Sequence, residues 1–166
     1  RRALPDAGDG LLERRRRLLT EHIDDLRDVF RAARDRRPFT IDAIVVLPDH
    51  LHCLWTLPPG DSDFSARWHD IKARYTARIP KGERLSDRRQ RKGERGIWQR
   101  RYWEHAIRDP LDFERHFDYI HYNPVKHGHV RRVADWPSSS FHRCVRQGLY
   151  PLDWAAGDEV RGLSME

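Results

Sequence analysis

The sequence predicts an α+β domain, an antiparallel sheet with helices packed on one face. Two observations predict it. Apolar residues recur at helical steps in three segments and at strand spacing in three others, in the order helix, strand, strand, helix, strand, helix. The two consecutive strands are joined by only a short turn, which forces them antiparallel. A chain of 166 residues suits a single domain with a real core.

Residues 1–10 are polar, with Pro5 and two glycines, and read as a loop. From Leu11 the apolar residues Leu11, Leu18, Leu19, Ile23, Leu26, Phe30 and Ala33 fall at three- and four-residue steps, so a helix follows, closed by Pro38. Phe39 to Leu47 is rich in β-formers, Pro48-Asp49 is a turn, and His50 to Leu57 is a second strand ending at Pro58-Pro59-Gly60. Asp61-Ser62-Asp63 precedes a helix from Phe64 to Ile79, with Phe64, Trp68, Ile71 and Tyr75 as its apolar stripe. A charged loop from Pro80 to Gly96 leads to a third strand near Ile97 to Arg108. Asp109-Pro110 is an N-cap followed by proline at the first helical position. The last helix runs from Leu111 to His127, with a kink or break expected at Pro124. Beyond Val130 the chain is less regular, and Trp136, Phe141, Tyr150 and Trp154 suit a tail packed over the domain.

Composition narrows the function. Lys+Arg number 32 against 26 Asp+Glu, a formal net charge of +6, and arginine dominates. Arginine's planar fork of donors suits phosphate, so a polyanionic partner is indicated. Cys53 and Cys144 are too few for a disulfide framework or a cysteine-rich zinc site, and a reducing compartment fits. No apolar run is long enough to span a membrane, and no signal peptide or phosphate-cradling glycine loop is visible.

Three groups of residues carry chemistry. On a strand, His50 and His52 share one face while Leu51, Cys53, Trp55 and Leu57 point into the core. Two imidazoles so placed can grip one metal ion, although an isolated His-x-His is more often a solvated polar pair. Tyr119 and Asn123, four apart on a helix, share a face. A tyrosine hydroxyl can attack phosphorus with Lewis-acid help, and the Asn123 amide oxygen is a candidate third ligand. Taken alone, Tyr119 and Tyr122 read as ordinary packing aromatics. The stretch from Arg88 to Trp103 interleaves bases with aromatics, as single-stranded nucleic acid requires; Arg88, Arg89, Arg91, Arg100 and Arg101 are the candidate contacts.

The segments VVLPDHLHCLWTLP (45–58), IWQRRYWEHAIRDPLDFERHFDYIHYNPVKHG (97–128) and DWPSSSFHRCVRQGLYPLDWA (135–155) strongly resemble the REP-associated tyrosine transposases of the single-tyrosine HUH, IS200-like superfamily. The resemblance implies a ferredoxin-like fold whose sheet carries the histidines, with the tyrosine helix laid against it. It implies His50 and His52 as the His-hydrophobic-His pair, Tyr119 as nucleophile ahead of Tyr122, and Asn123 as third ligand of Mg²⁺ or Mn²⁺. The implied activity is cleavage and rejoining of single-stranded DNA beside a REP-type hairpin through a 5′-phosphotyrosine, without ATP. A catalytically inactive hairpin-binding relative is the alternative, and a hydrolase using water at the His pair is a third reading. Residues 1–130 are the expected transposase domain and 131–166 its tail, in a protein expected to be monomeric, cytoplasmic, bacterial and nucleoid-associated. Relatives open on an aromatic-rich strand. Nothing like it precedes Leu11 here, and the chain starts at Arg1 rather than Met, so the sheet is expected to lack its first strand.

Overall fold

The computed structural model describes residues 2–6, 17–82, 86–99 and 103–155. Its strands are β1 (Arg2–Asp6), β2 (Thr40–Val46), β3 (Leu51–Thr56) and β4 (Trp103–Ala106). Its helices are α1 (Leu18–Glu21), α2 (Ile23–Arg36), α3 (Phe64–Arg78), α4 (Asp87–Arg91), α5 (Pro110–Lys126) and α6 (Phe141–Arg146), with a 3-10 turn at Val133–Asp135. The sheet order β2-β3-β1-β4, antiparallel throughout, is the ferredoxin-like arrangement.

The expectation of a missing first strand is corrected. Arg2–Asp6 fills the slot between β3 and β4, pairing Ala3 with Trp55 on one side and with Ala106 on the other. Its sequence, Arg-Ala-Leu-Pro-Asp, has neither alternation nor aromatics. The slot is specified by the backbone donors and acceptors of its neighbours, which must be paired when buried. Pro5, which lacks a donor, lies outside the β1–β3 pairing.

The hairpin forms as its alternation dictates. Leu47 N donates to His50 O (2.8 Å), closing the turn. Leu51, Cys53 and Trp55 face a core shared with Leu26, Phe30, Trp68, Ile71 and Tyr75 from α2 and α3. Ala43, Val45 and Leu54 face the opposite way, against Ile120 of α5. Helices therefore cover both faces rather than one: α2 and α3 lie on one side, and α5 lies on the other. A register shift between Ile41 and Ala43 in β2 puts Ile41 on the same face as Ile44 and Val46.

Asp63 caps α3 by accepting from Ala66 N (2.9 Å). Asp109 caps α5 by accepting from Asp112 N (2.8 Å), with Pro110 just inside. The kink expected at Pro124 does not end the helix, because Pro124 stands in the final turn and removes only one internal hydrogen bond. Gly128, at φ +72°, then closes it. After α5 the chain runs back along β2. Val46 N donates to Ser138 O (2.8 Å), Ser140 N donates to Ile44 O (2.8 Å), and Trp136 Nε1 donates to Val46 O (3.0 Å). This covers an edge that would otherwise stay open.

Candidate active site

Strand alternation and the packing of α5 bring His50, His52 and Tyr119 to one place. The His50 and His52 rings lie 5.2 Å apart, and the His52 ring meets the Tyr119 ring edge-on at 5.6 Å. Both distances are between centroids. His52 and Tyr119 are buried.

His50 Nδ1 lies 2.7 Å from the Asp49 carboxylate. That contact fixes the ring and leaves Nε2 as the nitrogen available to a ligand. Burial, and then the neighbouring His52, push the His50 pKa down from 6.5 to about 4, against the opposing pull of Asp49. His50 is therefore a neutral imidazole at pH 7, the form a metal needs.

Asn123 is fully buried. Its Nδ2 donates to Tyr119 O (3.0 Å), while its Oδ1 has no hydrogen-bond partner among the described residues. An orphaned buried amide oxygen costs free energy unless something accepts its lone pairs. Two imidazole nitrogens and an amide oxygen form a donor set that fits a Mn²⁺ or Mg²⁺ ion.

Lys126 Nζ donates to the Tyr119 hydroxyl (3.2 Å) and lies 4.6 Å from its ring centroid. The ammonium is thus placed to stabilise negative charge on that oxygen. Tyr122 faces elsewhere, packing with Val133, Phe141 and Tyr150 under the C-terminal segment. Arg88, Arg89 and Arg91 lie on α4, where Arg88 and Arg91 are exposed and Arg89 is partly covered. Arg100 and Arg101 lie outside the described residues.

Among the described residues, one group of three His, Cys, Asp or Glu side chains has its donor atoms close enough to share an ion. It consists of His105, Asp112 and His116, not of the His50–His52 pair.

The IS200-like transposase family matches residues 11–123. The REP-associated tyrosine transposase of Escherichia coli K12 is 50% identical over 145 residues, covering 87% of this chain and 80% of that protein. The chain belongs to the REP-associated tyrosine transposases. A putative REP-associated tyrosine transposase of Haemophilus influenzae is 44% identical over 152 residues, 91% of this chain and 86% of its own. A solved structure described as the REP-associated tyrosine transposase bound to a REP hairpin superposes with a TM-score of 0.77 at 46% identity, covering 95% of this chain and 86% of that one.

Membership of the REP-associated tyrosine transposases places the chain among DNA transposases and agrees with its ferredoxin-like sheet. No helix among the described residues is long and apolar enough to cross a membrane. Sequence reasoning missed Asp49, Lys126 and the His105 group. Lys126 carried a signal, since seven residues after Tyr119 is two helical turns along the same face. His105 carried none, because its partners Asp112 and His116 belong to another element.

Proposed function

We propose that the chain cleaves and rejoins single-stranded DNA beside a REP-type hairpin, with Tyr119 as nucleophile and His50, His52 and Asn123 as ligands of Mg²⁺ or Mn²⁺. The observation that carries this reading is Tyr119, whose ring meets the His52 ring edge-on and whose hydroxyl accepts from the Lys126 ammonium. The solved relative's REP hairpin supports the same class of DNA for this chain.

The chemistry is a transesterification. The Tyr119 oxygen attacks the scissile phosphorus in line. The bond from tyrosine oxygen to phosphorus forms as the bond to the 3′ oxygen breaks, and the proton lost by the phenol is balanced by the one the departing 3′ oxygen takes up to leave as a hydroxyl. Lys126 stays against the tyrosine oxygen and holds a proton for it when a second 3′ hydroxyl reverses the step. Asp49 orients His50, and Asn123 is fixed through the Tyr119 carbonyl, so ligand and nucleophile share one rigid turn of α5. A bound divalent ion supplies Lewis-acid polarisation of the phosphate. One phosphodiester replaces another, so no nucleotide is consumed.

Arg88, Arg89 and Arg91 on α4 suit backbone phosphates, and Arg100 and Arg101 follow in the same basic stretch. Residues 1–130 act as the catalytic domain and 131–166 as a tail. The tail's cover over the β2 edge supports a monomer.

The test is a labelled hairpin with a single-stranded flank, incubated with Mn²⁺ and run on a denaturing gel. The expected result is a protein–DNA adduct and a free 3′ end, with Tyr119→Phe binding the hairpin but forming no adduct. Cleavage without adduct supports a water-using hydrolase instead. Binding with neither supports an inactive hairpin-binding relative.

A further inference from the structure

His105 stands on β4, and Asp112 and His116 stand one turn apart at the start of α5. One donor atom from each lies within 4.8 Å of the other two. His105 Nε2 is 2.8 Å from one Asp112 carboxylate oxygen, and His116 Nδ1 is 3.1 Å from the other. The two rings stack at 4.7 Å, inclined by only 16°. Ligands at roughly 2.0–2.1 Å from an ion stand about 3 Å from one another, a spacing that His105 Nε2 and the Asp112 carboxylate already have.

Two further facts argue against a closed ion-pair network. His116 is only 4% exposed, and its Nε2 has no hydrogen-bond partner among the described residues. Its Nδ1 already donates to the Asp112 backbone carbonyl (2.7 Å), which fixes the ring as an outer-shell contact fixes a ligand. Asp112 is held in turn by Arg108 N (2.9 Å). The cluster is thus pre-ordered by bonds that a metal would not displace, and a buried nitrogen remains unsatisfied.

We propose that His105, Asp112 and His116 form a divalent transition-metal site of the Zn²⁺ class, separate from the His50–His52 pair, which clamps the start of α5 to β4. Two imidazoles and one carboxylate prefer Zn²⁺, Co²⁺ or Mn²⁺ over Mg²⁺ or Ca²⁺, which favour all-oxygen shells. His116 lies three residues before Tyr119, so the clamp acts on the same helix that carries that residue. The site stands whether or not the transposition reading holds.

The test is Zn²⁺ binding to the metal-stripped full chain by competition with a chromophoric chelator, with Co²⁺ as a spectroscopic probe. His105→Ala is expected to lose one tight equivalent of Zn²⁺, with affinity at that site down by at least about 100-fold. Asp112→Asn is expected to do the same, whereas His50→Ala keeps this equivalent. Co²⁺ on the native chain should give visible bands that His105→Ala abolishes, and Zn²⁺ should raise the native melting temperature but not that of His105→Ala. His105 is partly exposed, so its variant folds and decides the question. Equal Zn²⁺ stoichiometry and Co²⁺ bands in the native chain and His105→Ala would overturn the proposal. A cleavage assay that fails while the Zn²⁺ count still falls would leave it standing and count against the transposition reading alone.

Discussion

Asn123 holds a buried amide oxygen that no described donor reaches, one turn after a tyrosine whose hydroxyl meets an ammonium. If that oxygen is a metal ligand, Asn123→Ala raises the Mn²⁺ concentration for half-maximal cleavage by at least about tenfold, and Asn123→Asp restores it. A Mn²⁺ titration unchanged in Asn123→Ala would remove Asn123 from the ligand set. At this scale the sequence was readable where periodicity rules. The period of two set His50 and His52 against Leu51 and Cys53, and the period of 3.6 set Asn123 beside Tyr119. Asp49 was read only as a turn residue, because its role depends on which way the His50 ring turns, and no spacing encodes that.

Elements are held by polar clamps as well as by the core. Arg67 of α3 is buried. It donates to the carbonyls of Arg37 (3.3 Å), Pro38 (3.1 Å) and Asp63 (2.8 Å) and pairs with Asp61 (2.6 Å), joining α3 to the loop that enters β2. Arg67→Met keeps the stem but strands three carbonyls and a carboxylate, so unfolding free energy should fall by about 3 kcal/mol. A urea midpoint within error of the native chain would contradict this. The hairpin, the two aspartate caps and the apolar stripe of α3 were legible because each has a local cause. The sequence places the third strand from Ile97, whereas the described strand is β4 (Trp103–Ala106); Ile97 and Trp98 pack into the core shared with α3. β1 was not legible at all. A strand held between two neighbours draws on their backbone groups, and its own five residues carry no pattern.

Across the whole molecule, the C-terminal segment is joined to the sheet through α5. His121 of α5 is buried, with Nδ1–H donating to Phe117 O (2.8 Å) and Nε2 bonded to Ser140 Oγ (2.8 Å), and Ser140 Oγ also accepts from Ile44 N (2.9 Å). Burial pushes the His121 pKa from 6.5 to about 4. The folded chain therefore keeps this imidazole neutral where the unfolded chain protonates it. Its contribution is complete above pH 6.5 and is lost as pH falls towards 4. In metal-free buffer, stability at about pH 5 should be about 2 kcal/mol lower than at about pH 7.5 from this group. An imidazole signal of His121 titrating near the ordinary value in the folded state would contradict it.

Peptide mapping of the covalent adduct decides which oxygen atom attacks the DNA. Trypsin cuts after Arg115 and Lys126, releasing a peptide that carries both Tyr119 and Tyr122. After reaction with the hairpin and Mn²⁺, nuclease trimming and fragmentation by mass spectrometry, a nucleotide phosphate is expected on Tyr119 and none on Tyr122. A phosphate on Tyr122, or cleaved DNA with this peptide unmodified, would contradict it.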